Sequence, residues 1–141
     1  MKRSIFLIIV TAVFIISCNK DENTINNNNP YLPNYPVNVQ INMSFPAYSN
    51  LQYPSNSAYV GGYGVRGIII FNTGSGYYAF DAACPNQALS SCSTMTIDGI
   101  NAVCACDEKE YNLFTGLANG AQYPMKQYRT SVSGSVINVY N

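Results

Sequence analysis

The sequence contains no histidine and no tryptophan, and charged residues make up only 10% of its 141 positions. Without histidine, the chain has no histidine-based catalytic triad, no histidine-bound zinc and no imidazole proton shuttle. Basic and acidic residues both number 7, so there is no excess positive charge to bind nucleic acid. Long helical periodicity and internal repeats are also missing, whereas a hydrophobic content of 48% suffices for one core.

The N-terminus has the pattern of a leader. Lys2 and Arg3 precede an apolar or small run of about twelve residues, which is too short to span a bilayer. The run ends in Ile15-Ile16-Ser17-Cys18, which resembles the lipobox of bacterial lipoproteins. The resemblance implies a signal peptide over residues 1–17, cleavage before Cys18 and a diacylglycerol group on its sulfur. The alternative is a signal peptide followed by an incidental free cysteine.

Residues 18–36 are predicted to be the lipidated cysteine and an Asn/Pro-rich tether. The segment Asn19-Lys20-Asp21-Glu22 resembles the surface-export signal of Bacteroidota lipoproteins, and a solvated linker is the alternative. We therefore expect attachment to the outer membrane, with exposure at the cell surface left open. Export implies an oxidising compartment, in which cysteines pair.

Short strands between Gly, Asn and Ser turns predict one all-β domain over residues 37–141. The β-branched run Ile68-Ile69-Ile70 predicts a strand buried on both faces, and residues 128–140 predict a closing hairpin. Residues 100–106 are predicted to be one strand, which would direct Cys104 and Cys106 to the same face. This pattern favours an antiparallel sandwich or barrel.

Four of the five cysteines lie in two loops that resemble the cluster loops of a Rieske-type domain. The matching pieces, in order, are Tyr77 to Asp81, Cys84-Pro85-Asn86, Cys104-Ala105-Cys106-Asp107 and Thr115-Gly116. The resemblance implies an antiparallel Rieske-like sandwich or barrel with a small cysteine-loop subdomain.

The metal ligands depart from that family. A Rieske centre uses two Cys and two His ligands. Cys84 and Cys104 stand at the two Cys positions, but Asn86 and Asp107 stand at the two His positions. Because an amide is a poor ligand for iron, we expect no cofactor and no metal. The alternative is an electron-transfer protein that holds a [2Fe–2S] cluster through non-standard ligands.

The four loop cysteines allow three pairings. A Cys104–Cys106 bond would close a strained ring between positions i and i+2, which leaves two pairings open. The resemblance to high-potential Rieske proteins favours Cys92–Cys106 together with Cys84–Cys104. The other pairing joins Cys84 to Cys106 and Cys92 to Cys104.

Other candidate sites are weaker. The acidic residues near the cysteine loops are interpreted as solvated turns rather than as an acid–base pair; they are Asp81, Asp107, Glu108 and Glu110. Thiol exchange is disfavoured because the chain has no Cys-x-x-Cys pair. Four loop tyrosines suit glycan or protein binding but are more simply explained as sheet-edge or core residues; they are Tyr48, Tyr53, Tyr59 and Tyr63.

The sequence thus predicts a lipid-anchored envelope protein with a disulfide-stapled binding or structural module. Its expected partners are the membrane, through the lipid anchor, and an envelope protein or glycan. No enzymatic activity is expected, and the enzymatic alternative is a Rieske-type oxidoreductase component.

Overall fold

A computed structural model describes residues 28–141, so the predicted signal peptide and Cys18 lie outside the described residues. The described chain forms strands and one short 3₁₀ helix, Pro46–Gln52. The strands are β1 Asn38–Asn42, β2 Ser57–Val60, β3 Ile68–Asn72, β4 Tyr77–Asp81, β5 Thr96–Asp98, β6 Asn101–Val103, β7 Glu110–Asn112, β8 Gln127–Ser133 and β9 Val136–Tyr140. Within residues 28–141, no helix has the length and apolar character needed to cross a membrane.

The strands form two antiparallel sheets. A six-stranded sheet has the order β1-β9-β8-β4-β3-β2, and a three-stranded sheet has the order β5-β6-β7. The small sheet carries the second cysteine loop between β6 and β7. The predicted all-β antiparallel class with a small cysteine-loop subdomain is confirmed.

Strand β3 lies between two cores, as its β-branched run predicts. All five of its residues are buried. Ile68 and Ile70 belong to a core formed with β1, β2 and β9, whereas Ile69 and Phe71 belong to a second core beneath the small sheet. The second core also contains Cys84 and Cys104, so the cysteine loops are anchored to the centre of the domain.

The ends of the described domain meet at one edge of the large sheet. Strand β1 pairs with β9 along its full length, with Val39 opposite Val139 and Ile41 opposite Ile137. The backbone N–H of Val37 donates to the side-chain oxygen of Asn141 at 2.9 Å. The alternating pattern at residues 38–42 is explained by this pairing, because its apolar side chains enter the first core.

The connection between β1 and β2 contains a helical turn. The segment Pro46–Gln52 is a 3₁₀ helix with proline in its first turn, where a fixed φ and a missing N–H are tolerated. Leu51 is fully buried, and its carbonyl accepts a 2.7 Å hydrogen bond from Asn72 Nδ2. A buried leucine and several side-chain hydrogen bonds therefore hold a segment too short to show helical periodicity.

Candidate functional site: two facing cysteine loops

The first cysteine loop leaves the end of β4 and returns to β5 through residues 82–95. Its two arms pair with each other, because the N–H of Cys84 donates to the carbonyl of Ser93 at 2.8 Å and Ala83 bridges to Thr94. This pairing brings Cys92 close to Cys84. Cys84 is buried and Cys92 is exposed, so the loop presents one cysteine to the core and one to solvent.

The second cysteine loop is a turn, which corrects the predicted strand at residues 100–106. Strand β6 ends at Val103, and the N–H of Glu108 donates to the carbonyl of Cys104 at 2.9 Å. Glu108 has a positive φ of 56°, which reverses the chain towards β7. Cys104 and Cys106 therefore meet the first loop through a turn, not through the shared face of a strand.

Two disulfides join the loops. One links Cys84 to Cys104 with a Cα–Cα distance of 5.6 Å, and the other links Cys92 to Cys106 with a Cα–Cα distance of 5.2 Å. These are the two pairs that the family resemblance favours. The first bond is buried, whereas the second joins exposed Cys92 to half-buried Cys106. The sulfurs of Cys84, Cys104 and Cys106 all lie within 4.8 Å of one another.

Asn86 fastens the first cysteine loop to its neighbours through both ends of its amide. Its Nδ2 donates to the hydroxyl of Tyr111 and to the carbonyl of Tyr123, each at 2.8 Å. Its Oδ1 accepts from the backbone N–H groups of Gln122 and Tyr123 at 3.0 and 2.8 Å. Sequence reasoning treated Asn86 only as a missing ligand, and a single loop asparagine gives no signal for this role.

Asp107 forms an ion pair with Lys109, two positions further along the chain. Its carboxylate lies 3.0 Å from Nζ of Lys109 and also accepts the N–H of Lys109 at 3.3 Å. Both side chains remain partly exposed, so this ion pair contributes about 0–1 kcal/mol. Asp107 thus shapes the turn between β6 and β7.

The residues at the four cluster positions do not fit a Rieske ligand set in the state that the structure shows. Cys84 and Cys104 are bonded to each other. The amide of Asn86 already makes hydrogen bonds at both of its atoms, and Asp107 faces Lys109. A [2Fe–2S] centre of this type requires two free thiolates and two imidazoles, and none of these groups is present here.

Asp81 is fully buried beneath the first loop, so its interpretation as a solvated turn residue is wrong. Its carboxylate accepts the hydroxyl of Tyr128 at 2.7 Å and the N–H groups of Val65, Arg66 and Ala83 at 2.6, 3.1 and 2.9 Å. Burial raises the pKa of Tyr128 far above its ordinary value, and the hydrogen bond to Asp81 raises it further. Asp81 thereby holds the backbone of Val65 and Arg66, just before β3 begins at Ile68.

The segment that precedes β1 packs against the domain. Leu32 is buried, and Lys126 Nζ donates to the carbonyl of Pro33 at 2.6 Å. Burial lowers the pKa of Lys126, although the charge of Asp81 opposes the shift. Asn29 Nδ2 donates to the carbonyl of Pro85 at 2.7 Å, so this segment also reaches the first cysteine loop.

Exposed tyrosines border the first cysteine loop. Tyr59 and Tyr63 are 48% and 42% exposed and line a shallow hollow with Arg66 and Thr94. Arg66 Nη2 donates to the carbonyl of Ser90 at 2.8 Å, which ties the hollow to the loop. Neither Tyr59 nor Tyr63 is a core residue, but Tyr59 lies in β2, the edge strand of the large sheet, as the sheet-edge interpretation expects.

Comparison with known proteins gives similarity in structure only. No family model matches the chain, and no curated protein matches it. Among solved structures, a chain from the complex of reduced oxygenase and oxidised ferredoxin in carbazole 1,9a-dioxygenase has a TM-score of 0.51 at 21% identity, covering 73% of this chain and 92% of that one.

Two further ferredoxin structures are similar. The ferredoxin of carbazole 1,9a-dioxygenase from Nocardioides aromaticivorans IC177 has a TM-score of 0.47 at 18% identity, covering 75% of this chain and 97% of that one. The Sphingomonas yanoikuyae B1 ferredoxin has a TM-score of 0.46 at 16% identity, covering 65% and 93%.

These comparisons correct the expectation about cofactors. The expectation of no cofactor is contradicted by the first of these structures, which comes from a complex of a reduced oxygenase with an oxidised ferredoxin. The predicted Rieske-like fold is confirmed by that structure. The described part of this chain is a Rieske-like β domain with two disulfides between its cysteine loops.

Proposed function

We propose that the chain is a cell-envelope protein, attached to the outer membrane through a lipid on Cys18, whose Rieske-like domain is a protein-binding module. The observation that supports this most directly is the structural use of the cluster positions. A disulfide and the amide of Asn86 fix both loops in place. A rigid surface of this kind loses little conformational entropy when a partner binds.

The binding surface is the hollow beside the first cysteine loop. Exposed tyrosines offer large contact areas with few rotatable bonds, and Arg66 adds a fixed positive charge. The carbazole 1,9a-dioxygenase complex joins an oxygenase and a ferredoxin, which supports a protein partner rather than a glycan for this fold.

Photo-cross-linking tests the binding role. A photoreactive phenylalanine analogue would replace Tyr63 in the hollow. In a matched control it would replace Tyr140, which is 37% exposed and lies in β9, the strand paired with edge strand β1. We expect a discrete protein adduct from position 63 in intact cells and none from position 140. Equal adduct patterns, or no adduct at either position, would remove the support for this surface.

Anchoring is tested separately by fractionation. The Cys18→Ala variant should move from the membrane fraction to the soluble envelope fraction, whereas the native chain should carry the mass of a lipid at its N-terminus. A native chain without lipid would refute the proposed attachment but not the binding role.

Electron transfer is a second candidate function. It is favoured by the three sulfurs within 4.8 Å and by the ferredoxins that share the fold. The deciding measurement is thiol alkylation of the chain purified from the envelope, combined with iron analysis and a visible absorption spectrum. Cysteines that react only after reduction support the stapled module, whereas about two iron atoms per chain with visible absorption support a [2Fe–2S] carrier.

A further inference from the structure

The two disulfides differ in accessibility and approach each other through the sulfur of Cys106. Cys92 is exposed, whereas Cys84 and Cys104 are almost completely buried. Cys106 joins these environments, because it is bonded to Cys92 and lies within 4.8 Å of both sulfurs of the buried bond. Thiol–disulfide exchange requires an attacking sulfur close to a disulfide, and Cys106 has that proximity to the Cys84–Cys104 bond.

We propose that the two bonds form an exchange relay that accepts two electrons from a dithiol. This inference rests on the disulfide-bonded state used in the proposed function, but it assigns chemistry that a binding module does not need. The dithiol is either a small molecule or the active site of an envelope reductase, and the shared chemistry is a pair of neighbouring thiols.

The first step occurs at the exposed bond. A donor thiolate attacks the sulfur of Cys92, forms a mixed disulfide with it and releases Cys106 as a thiolate. The hydroxyl of Ser90 lies 3.2 Å from the sulfur of Cys92 and 3.6 Å from that of Cys106, and the hydroxyl of Ser93 lies 3.9 Å from that of Cys106. These hydroxyls can donate hydrogen bonds to the released thiolate.

The second step transfers the reduction inward. The thiolate of Cys106 attacks the sulfur of Cys84, which forms a Cys84–Cys106 bond and releases Cys104. Attack on Cys104 is disfavoured because a disulfide between positions i and i+2 is strained. Gln87 Nε2 lies 3.7 Å from the sulfur of Cys104 and can donate a hydrogen bond to it as negative charge develops there.

The second thiol of the donor completes the two-electron reduction. That thiol attacks the mixed disulfide, releases Cys92 as a thiol and leaves the donor as a disulfide. The donor loses two electrons and two protons, and the chain ends with Cys92 and Cys104 as thiols beside one Cys84–Cys106 bond.

Limited reduction of the native chain tests the relay. The full chain would be purified from the envelope and shown to have no alkylatable loop thiol, since free thiols at this point would count against the stapled state itself. It would then receive one equivalent of dithiothreitol, followed by alkylation at mildly acidic pH and mapping by tandem mass spectrometry. We expect label on Cys92 and Cys104 and a linked Cys84–Cys106 pair. Label on Cys92 and Cys106 with Cys84–Cys104 intact would overturn the relay.

A single substitution provides an independent test without reductant. In Cys92→Ser, Cys106 begins as the unpaired loop thiol, and the relay predicts that the label appears on Cys104. The matched variant Cys106→Ser lacks the transferring sulfur, so its label should stay on Cys92 and its buried bond should stay intact. Label retained on Cys106 in Cys92→Ser would refute the exchange step. If a variant fails to fold, the experiment on the native chain still decides the question.

Discussion

The side-chain amide of Asn86 donates a 2.8 Å hydrogen bond to the hydroxyl of Tyr111, and this contact connects the first cysteine loop to β7. Burial raises the pKa of the Tyr111 hydroxyl, while the hydrogen bond from Asn86 acts in the opposite direction. The residue at one of the family's ligand positions therefore cross-links the first cysteine loop, β7 and the segment that contains Gln122 and Tyr123.

Removal of that cross-link should destabilise the domain. Asn86→Ala deletes four hydrogen bonds, and at a net value of about 0.5–1 kcal/mol each we expect a loss of roughly 2–4 kcal/mol in the free energy of unfolding. Urea denaturation without reductant measures it. The control Asn119→Ala removes an exposed asparagine of a nearby loop and should change little. Equal losses for the two variants would argue against the cross-link.

The two disulfides should contribute unequally to stability. In the chain-entropy model, loops of 20 and 14 residues each give about 3 kcal/mol. Cys84→Ala combined with Cys104→Ala should cost more than this, because both sulfurs also belong to the buried core. Denaturation of each double variant measures the difference, and a larger loss from removing the exposed bond would contradict it.

Alkaline pH should weaken the fold through Tyr128. Its pKa is raised above the ordinary value of 10.0 by burial and by Asp81, so the folded chain holds this proton more tightly than the unfolded chain does. The stabilisation is complete below about pH 10 and decreases as the pH rises beyond it, by up to about 1.4 kcal/mol per pH unit. Urea titrations between about pH 9 and 11 should show a shallower decline for Tyr128→Phe. Tyr53→Phe, at a position that is 66% exposed, should keep the native slope.

The segment before β1 should contribute to stability. Leu32 is only 4% exposed, so Leu32→Ala should reduce the free energy of unfolding by about 2–3 kcal/mol. Tyr35→Ala, at a position that is 51% exposed, is the matched control. A Leu32→Ala variant as stable as the native chain would support the predicted domain start at residue 37.

The sequence predicted the fold where side-chain patterns repeat over several residues. The Ile68-Ile69-Ile70 run and the alternation in β1 each extend across a strand, so burial on both faces of β3 and on one face of β1 could be inferred. The favoured cysteine pairs came from a family resemblance, because spacing alone left two pairings open.

Sequence reasoning failed where one residue has a long-range partner. Asn86 bonds to Tyr123 across 37 positions, and Asp81 bonds to Tyr128 across 47. Neither hydrogen bond is accompanied by a repeating residue pattern in the sequence. A loop asparagine and an aspartate at the end of a strand look the same in sequence whether they are solvated or buried.

The bond between Asn29 and Pro85 also fixes where the chain leaves the described domain. Cys18 is eleven positions before Asn29, and a fully extended chain covers at most about 3.6 Å per residue. The segment between these two residues can therefore span at most about 40 Å. In the proposed lipoprotein, the cysteine end would therefore be tethered towards the bilayer. Exposed Cys92 would then stay close to the membrane that holds the anchor, and only reductants or partners that act near the lipid surface would encounter it.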